Sequence, residues 1–223
     1  MPQQQRAART KATIVRAAAE VFGNIGYEAA TISDILRTAG VTKGALYFHF
    51  ASKKELAQAV LDVQVSSVPT PPEQPLKLQR MLDQGMLVGH LLKRDPLVRG
   101  SVRLTVERGG RGAPDRRLPY LRWSQEVWGQ LEMARESGEL LPHVSTKQTA
   151  EMIVGAFAGI QGMSQTFSDY EDVCERASSL YHCIMPSVAV PAVLGRLDMA
   201  PDRGARVMAS IEVARDRSAT AAA

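Results

Sequence analysis

Between Gly26 and Leu56 the chain sets out three helix starts and two glycine stops in quick succession, a pattern that only short, tightly turned helices satisfy. Thr31-Ile-Ser-Asp34 has the form of a capping box with Asp in place of Glu, and opens a helix carrying Ile32, Ile35 and Leu36. Gly40, in Ala39-Gly40-Val41, can take positive φ and turns the chain. Thr42 caps a second short helix that runs through Phe48. Ser52-Lys-Lys-Glu55 is a capping box in full form and starts a further helix from Leu56 to about Val65. Ahead of these, Ile14, Ala17, Ala18, Val21 and Phe22 keep helical spacing from Thr10 until Gly26. Two short helices (31–38 and 42–48) joined by a glycine turn form a helix-turn-helix.

Charge places a function on this segment. Residues 1–60 hold eight Lys/Arg against four Asp/Glu, whereas residues 61–223 hold 19 of each sign, so the net +4 sits wholly in the first part. A basic unit joined to a neutral body predicts polyanion binding plus a separate second task. In a helix-turn-helix the second helix enters the major groove with its first residues facing base edges. Lys43 brings a positive charge to the start of that helix, and Gly44 and Ala45 are small enough for close approach. Leu46 and Phe50, four apart, face the core, which turns Tyr47 and His49 outward. Tyr47 offers a hydroxyl to a phosphate; His49 does the same or only packs. Thr31 and Thr42 at helix starts, and Ser52 with Lys53 at the next one, complete the DNA-binding candidates. Arg6, Arg9 and Lys11 are either a minor-groove arm or a solvated, frayed terminus.

Pro69, Pro71, Pro72 and Pro75 mark a boundary at 67–75. Beyond it the apolar spacing predicts helices at about 76–93, 96–107, 117–137, 146–168 and 170–189, with Glu107 to Arg117 as a flexible glycine-rich loop. Ser145-Thr-Lys-Gln148 is a further capping box, and a short helix follows Pro201. The division is a DNA-binding domain at 1–55, a linker helix and Pro-rich boundary at 56–75, a second domain at 76–215 and a frayed tail at 216–223. No strand alternation stands out, and the fold class is all-α. No apolar run approaches the ~20 residues of a membrane span, no signal peptide is visible, and two cysteines cannot build a disulfide framework, which together predict a cytoplasmic protein without membrane partners. His49, His90, His143, His182, Cys174 and Cys183 lack metal-ligand spacing, and no nucleophile-elbow or phosphate-loop motif occurs, so no metal, cofactor or enzyme activity is predicted.

Ala30 to Leu56, ATISDILRTAGVTKGALYFHFASKKEL, resembles the DNA-binding domain of the tetracycline-repressor (TetR) family. The matching pattern is Gly26-Tyr27, Thr31, Ile35, Ala39-Gly40-Val41, Gly44, Leu46 to Phe50, Lys53 and Leu56. The resemblance implies an all-α homodimer with an amino-terminal DNA-binding unit and a larger ligand-binding, dimerising domain, which represses transcription until a small molecule binds. Val41 to Gln64 is similar to the γ-butyrolactone autoregulator receptors of antibiotic-producing actinomycetes. A weaker similarity runs on through Arg103-Leu104, Trp123, Gly138 to Pro142, Gly159-Ile160-Gln161 and Ser164-Gln165. It implies that Trp123 and Gln64 line a ligand cavity, and with helical spacing it adds Met86, Leu87, His90, Val127, Phe157, Ile160 and Gln161.

Ala156 departs from the threonine that binds ligand in many of these receptors. That departure and the basic balance lean toward the pseudo-receptor branch, which answers to antibiotics or their precursors. The partners implied are a near-palindromic double-stranded operator, a small-molecule effector and a second copy. The second copy docks through helices near 146–168 and 170–189, where Gly155, Ala156, Ala158, Gly159 and Gly162 let helices approach, with Met152, Ile153, Phe157, Leu180 and Ile184 as apolar neighbours. Some of these small residues can instead pack within one chain, and the methionines, Met81, Met86, Met133, Met152 and Met163, can simply fill the core. Competing readings are an efflux-gene repressor sensing a lipophilic drug, a ligand-independent or architectural DNA binder, and an enzyme on a lipophilic substrate with a vestigial DNA unit.

Overall fold

The computed structural model describes residues 2–107 and 114–221; most of the expected 107–117 loop lies outside the described residues. Among the described residues twelve α-helices follow in order: α1 (Pro2–Ile25), α2 (Ile32–Ala39), α3 (Lys43–His49), α4 (Lys53–Asp62), α5 (Gln64–Ser67), α6 (Lys77–Leu92), α7 (Pro96–Val106), α8 (Arg117–Glu136), α9 (Thr146–Ser168), α10 (Val173–Ile184), α11 (Pro191–Leu194) and α12 (Arg203–Ala221). Among the described residues the β content is a single antiparallel bridge, Leu140 to Ala189. Among the described residues no helix is long and apolar enough to cross a membrane.

The helices form two compact units, Met1–Ser67 with Arg94–Pro119, and Val68–Lys93 with Tyr120–Ala223. This differs from the sequence division, which keeps 76–215 together: α7 returns to the amino-terminal unit. The reason is steric. Gly100 of α7 lies so close to α1 that a Cβ there would fall 1.9 Å from the Ala19 carbonyl oxygen, and a Cβ on Gly23 would sit 3.2 Å from the Gly100 Cα. Two glycines thus let the backbones of α1 and α7 touch, and Leu104 of α7 joins the first apolar core. That core holds Ile14, Ala18 and Phe22 from α1, Ile35 from α2, Leu46 from α3 and Leu56 and Val60 from α4.

Local signals set most helix ends. Thr31 and Asp34 cap each other reciprocally, and Asp34 also receives Arg37 at 2.6 Å. Gly26 and Gly40 adopt left-handed φ of 82° and 64°, ending α1 and α2. Four expectations are corrected. α1 starts at Pro2, so Arg6, Arg9 and Lys11 lie inside a helix rather than in an extended arm or a frayed end. Ser52 caps α4, yet Glu55 accepts from the Ala51 amide rather than completing the box at Ser52. Ser145 makes no side-chain cap; the neighbouring Thr146 hydroxyl turns instead to donate to Glu132. The carboxy-terminal helix α12 is long and continues to Ala221 where a short helix and frayed tail were expected.

In the second unit, Leu78, Met81, Leu82 and Met86 of α6 pack with Leu131, Ile153, Ala177 and Tyr181. The start of α6 is capped from afar: Glu139, 3% exposed, accepts from the Lys77 and Leu78 amides at 2.7 and 2.8 Å. α12 docks on α6 through Arg203, which forms a two-pronged pair with the fully buried Asp83 at 2.7 Å on each prong. Gly204 beside it fits because a Cβ would lie 2.2 Å from the Met86 carbonyl oxygen.

Candidate nucleic-acid interface and effector region

α3 is pinned by its two inward residues. Leu46 is fully buried and Phe50 is 2% exposed, as the four-residue spacing requires. Thr42 closes the start by accepting from the Ala45 amide at 3.2 Å. The outward face then presents Lys43, Gly44 and Tyr47, all exposed, with the Lys43 ammonium 5.9 Å from the Tyr47 ring centroid. A Cβ on Gly44 would meet nothing within 4 Å, so this face is open to an incoming surface. Ala45 and His49 are half-buried; His49 stands edge-on to Phe48 at 5.0 Å. Phe48 is 78% exposed, the most solvent-facing large apolar side chain of the helix. The motif Leu46 to Phe50 contains Phe48 without marking a role for it, although its place between Tyr47 and His49 already turns it outward.

Two candidates are otherwise engaged. Thr31 donates its hydroxyl to Asp34 at 2.6 Å while accepting from the Asp34 amide, so its side chain serves the α2 cap. Lys53 differs from the expectation of a phosphate site. Its ammonium donates to the carbonyls of Tyr27 at 2.8 Å, Glu28 at 3.4 Å and Ala30 at 2.9 Å, and lies 4.5 Å from the Tyr27 ring centroid. An ammonium has three protons, and three carbonyls take them. Ser52 stays exposed at the α4 start, with its hydroxyl accepting from the Glu55 amide.

The predicted ligand residues divide between the units. Gln64 begins α5 in the first unit, after α4 breaks at Val63, and is 4% exposed, its Oε1 lacking a hydrogen-bond partner among the described residues. In the second unit, Met86, Val127, Phe157 and Ile160 meet in one apolar cluster. Leu87 is fully buried and Gln161 nearly so. His90 lies against α12, where a Cβ on Gly204 would sit 3.0 Å from its Cβ. Trp123 is half-buried one turn before Val127 on α8, whereas Trp128 is 41% exposed and donates to Glu132 at 2.9 Å. Two side chains join the region that the sequence did not single out. Tyr181 stacks with Phe157 at 6.4 Å, and burial pushes its phenol well above the usual range. Gln130, on the α8 face of Trp123 and Val127, has a buried Oε1 without a hydrogen-bond partner among the described residues.

Residues 14–60 match the family model described as bacterial regulatory proteins, tetR family. The A-factor receptor protein of Streptomyces griseus is 40% identical over 206 residues, which are 90% of this chain and 73% of that one. The chain belongs to the TetR family. The TetR-family fold extends beyond the helix-turn-helix over most of the chain: the crystal structure of tylp, a TetR regulator from Streptomyces fradiae, superposes with a TM-score of 0.85 at 49% identity, covering 92% of this chain and 98% of that one. By contrast, the transcriptional regulator TtgR of Pseudomonas putida is 47% identical over 58 residues, 26% of this chain and 28% of that one. The similarity to TtgR therefore covers 26% of this TetR-family chain, whereas those to the A-factor receptor and tylp cover 90% and 92% of it and so reach into the second unit.

Proposed function

We propose that this protein is a transcriptional repressor that holds a near-palindromic operator as a homodimer and releases it when a small signalling molecule binds the second unit. One observation carries the reading: the similarity to the A-factor receptor protein runs through 90% of the chain rather than stopping at the helix-turn-helix. Lys43, Gly44 and Tyr47 on the open face of α3 meet the major groove, with the half-buried Ala45 beside them, His49, Thr42 and Ser52 at its edges and Thr31 holding α2 in place. Two such helices in a two-fold dimer reach successive grooves roughly 34–36 Å apart. The dimer surface is the exposed row on α9, Met152, Gly155, Gly159, Met163 and Phe167, where a Cβ on either glycine would meet nothing within 4 Å. The exposed side of α10 lies in the same 146–189 region.

The effector is a γ-butyrolactone-type autoregulator, or an antibiotic or its precursor. It enters the apolar cluster around Val127, Phe157 and Ile160 near Trp123. With Ala156 offering no hydroxyl, the unpartnered amide oxygen of Gln130 selects an effector that carries a hydrogen-bond donor. To release DNA the effector must bind the free conformation more tightly than the operator-bound one. Mobility-shift titration with a selected operator, with and without butyrolactones and culture-extract fractions, tests this. Release by a fraction at fixed protein concentration is expected; binding that ignores every fraction refutes the effector half, and binding without sequence preference refutes the repressor.

A further inference from the structure

The corner between α1 and α2 carries few backbone bonds of its own and many from elsewhere. Glu107, just past the end of α7, accepts from the Tyr27 amide at 2.9 Å through Oε2 and from the Arg103 Nε at 2.7 Å through Oε1. Arg103 in turn donates to the carbonyls of Gly23 at 2.8 Å and Asn24 at 3.0 Å, capping the end of α1. From α4, Lys53 donates to the carbonyls of Tyr27, Glu28 and Ala30. Gly26 makes the first arm possible, because a Cβ there would lie 2.6 Å from the Glu107 carboxylate. The Ala30 carbonyl sits one residue before the Thr31 cap from which α2 starts. All these groups lie within the amino-terminal unit.

We infer that Glu107, oriented by Arg103, is a positioning residue for operator recognition: with Lys53 it clamps residues 23–30 from two sides and fixes where α2, and through it α3, begins. The inference rests on the repressor reading above, and nothing in it needs Glu107 or Lys53 to touch DNA. Charge-assisted bonds to backbone groups are stronger and shorter than neutral ones, and three side chains from two helices hold the corner in one conformation. Loss of one arm leaves the apolar core of the unit intact but lets the corner move. A mobile corner spoils the register that base readout needs, while phosphate attraction, which tolerates register errors, persists.

The test compares the full-length wild type with Glu107→Ala and Glu107→Gln on a duplex selected by the wild type from random sequence and on a scrambled duplex, at matched salt. Amide hydrogen exchange at Tyr27 is followed in parallel. Glu107→Ala is expected to raise Kd for the selected duplex about tenfold and for the scrambled one less than about twofold, with faster Tyr27 exchange. Glu107→Gln falls between, since its Oε1 still accepts from the Tyr27 amide, and it carries the comparison if the alanine variant fails to fold. A parallel loss on both duplexes, or unchanged Tyr27 exchange, overturns the clamp. A wild type that prefers no sequence overturns the repressor reading instead, and Tyr27 exchange then judges the clamp alone.

Discussion

Replacing Gly100 by Ala isolates the contact that draws α7 into the DNA-binding unit. The added methyl would lie 1.9 Å from the Ala19 carbonyl oxygen, where ordinary contact begins at 3.4 Å, so the helices must part by about 1.5 Å. Both sides of the clash are helix backbone, so no side-chain rotation relieves it. A gap of that size forfeits much of the dispersion along the α1–α7 seam, since even ~0.5–1 Å loses a quarter to a half of each contact. It also stretches the two Arg103 bonds to Gly23 and Asn24 out of range, at roughly 1 kcal/mol each. Against a total loss of about 3 kcal/mol stands a gain of up to ~1 kcal/mol from the better helix propensity of alanine. The net expectation is destabilisation by ~2 kcal/mol.

Urea denaturation followed by far-UV circular dichroism reads this as a midpoint lowered by about 1 M for a slope near 2 kcal/mol/M. Gly129→Ala is the internal control: on α8 its Cβ would meet nothing within 4 Å, so the same substitution raises stability by as much as ~1 kcal/mol. A Gly100→Ala protein as stable as the wild type would refute the packing argument, because the propensity term alone favours alanine.

Other expectations separate groups that sequence alone treats alike. Lys43→Ala weakens binding to every duplex and lowers the slope of log K against log salt by about one, whereas Lys53→Ala leaves that slope unchanged because its ammonium is held by carbonyls; equal slopes in the two variants would contradict the assignment. Arg203→Met strands the buried Asp83 carboxylate and lowers unfolding free energy by about 3 kcal/mol, read by the same denaturation assay; a change below ~1 kcal/mol would show that α12 is not held by this pair. Asp172 is held far below the usual carboxylate range by bonds from Arg176, then Ser164 and Ser168. A depressed folded value stabilises fully above the unfolded value of about 4 and fades as pH falls below it. The melting temperature gap between wild type and Asp172→Asn should therefore narrow as pH drops from neutral toward 3 (a flat gap speaks against it).

What the sequence determined by itself was everything set by neighbours along the chain. Thr31 with Asp34, Gly40 at positive φ, Thr42 over Ala45, and the inward Leu46 and Phe50 are all resolved within a few residues, so the helix-turn-helix and the outward turn of Lys43 and Tyr47 were legible. The inward faces of the second unit's helices were legible in part, since periodicity names an inward face without saying what packs against it: Met86, Val127, Phe157 and Ile160 meet, while His90 lies against α12. Tertiary structure alone decided the bonds that close long loops. Lys53 finds its carbonyls 23 to 26 residues back, Glu107 reaches an amide 80 residues away, Glu139 caps a helix 61 and 62 residues before it, and Arg203 meets Asp83 across 120 residues. A lysine at a helix start has the same local pattern whether its ammonium faces a phosphate or a carbonyl. Only the packing of α1, α4 and α7 distinguishes Lys43, left open to solvent, from Lys53, turned back to hold the corner.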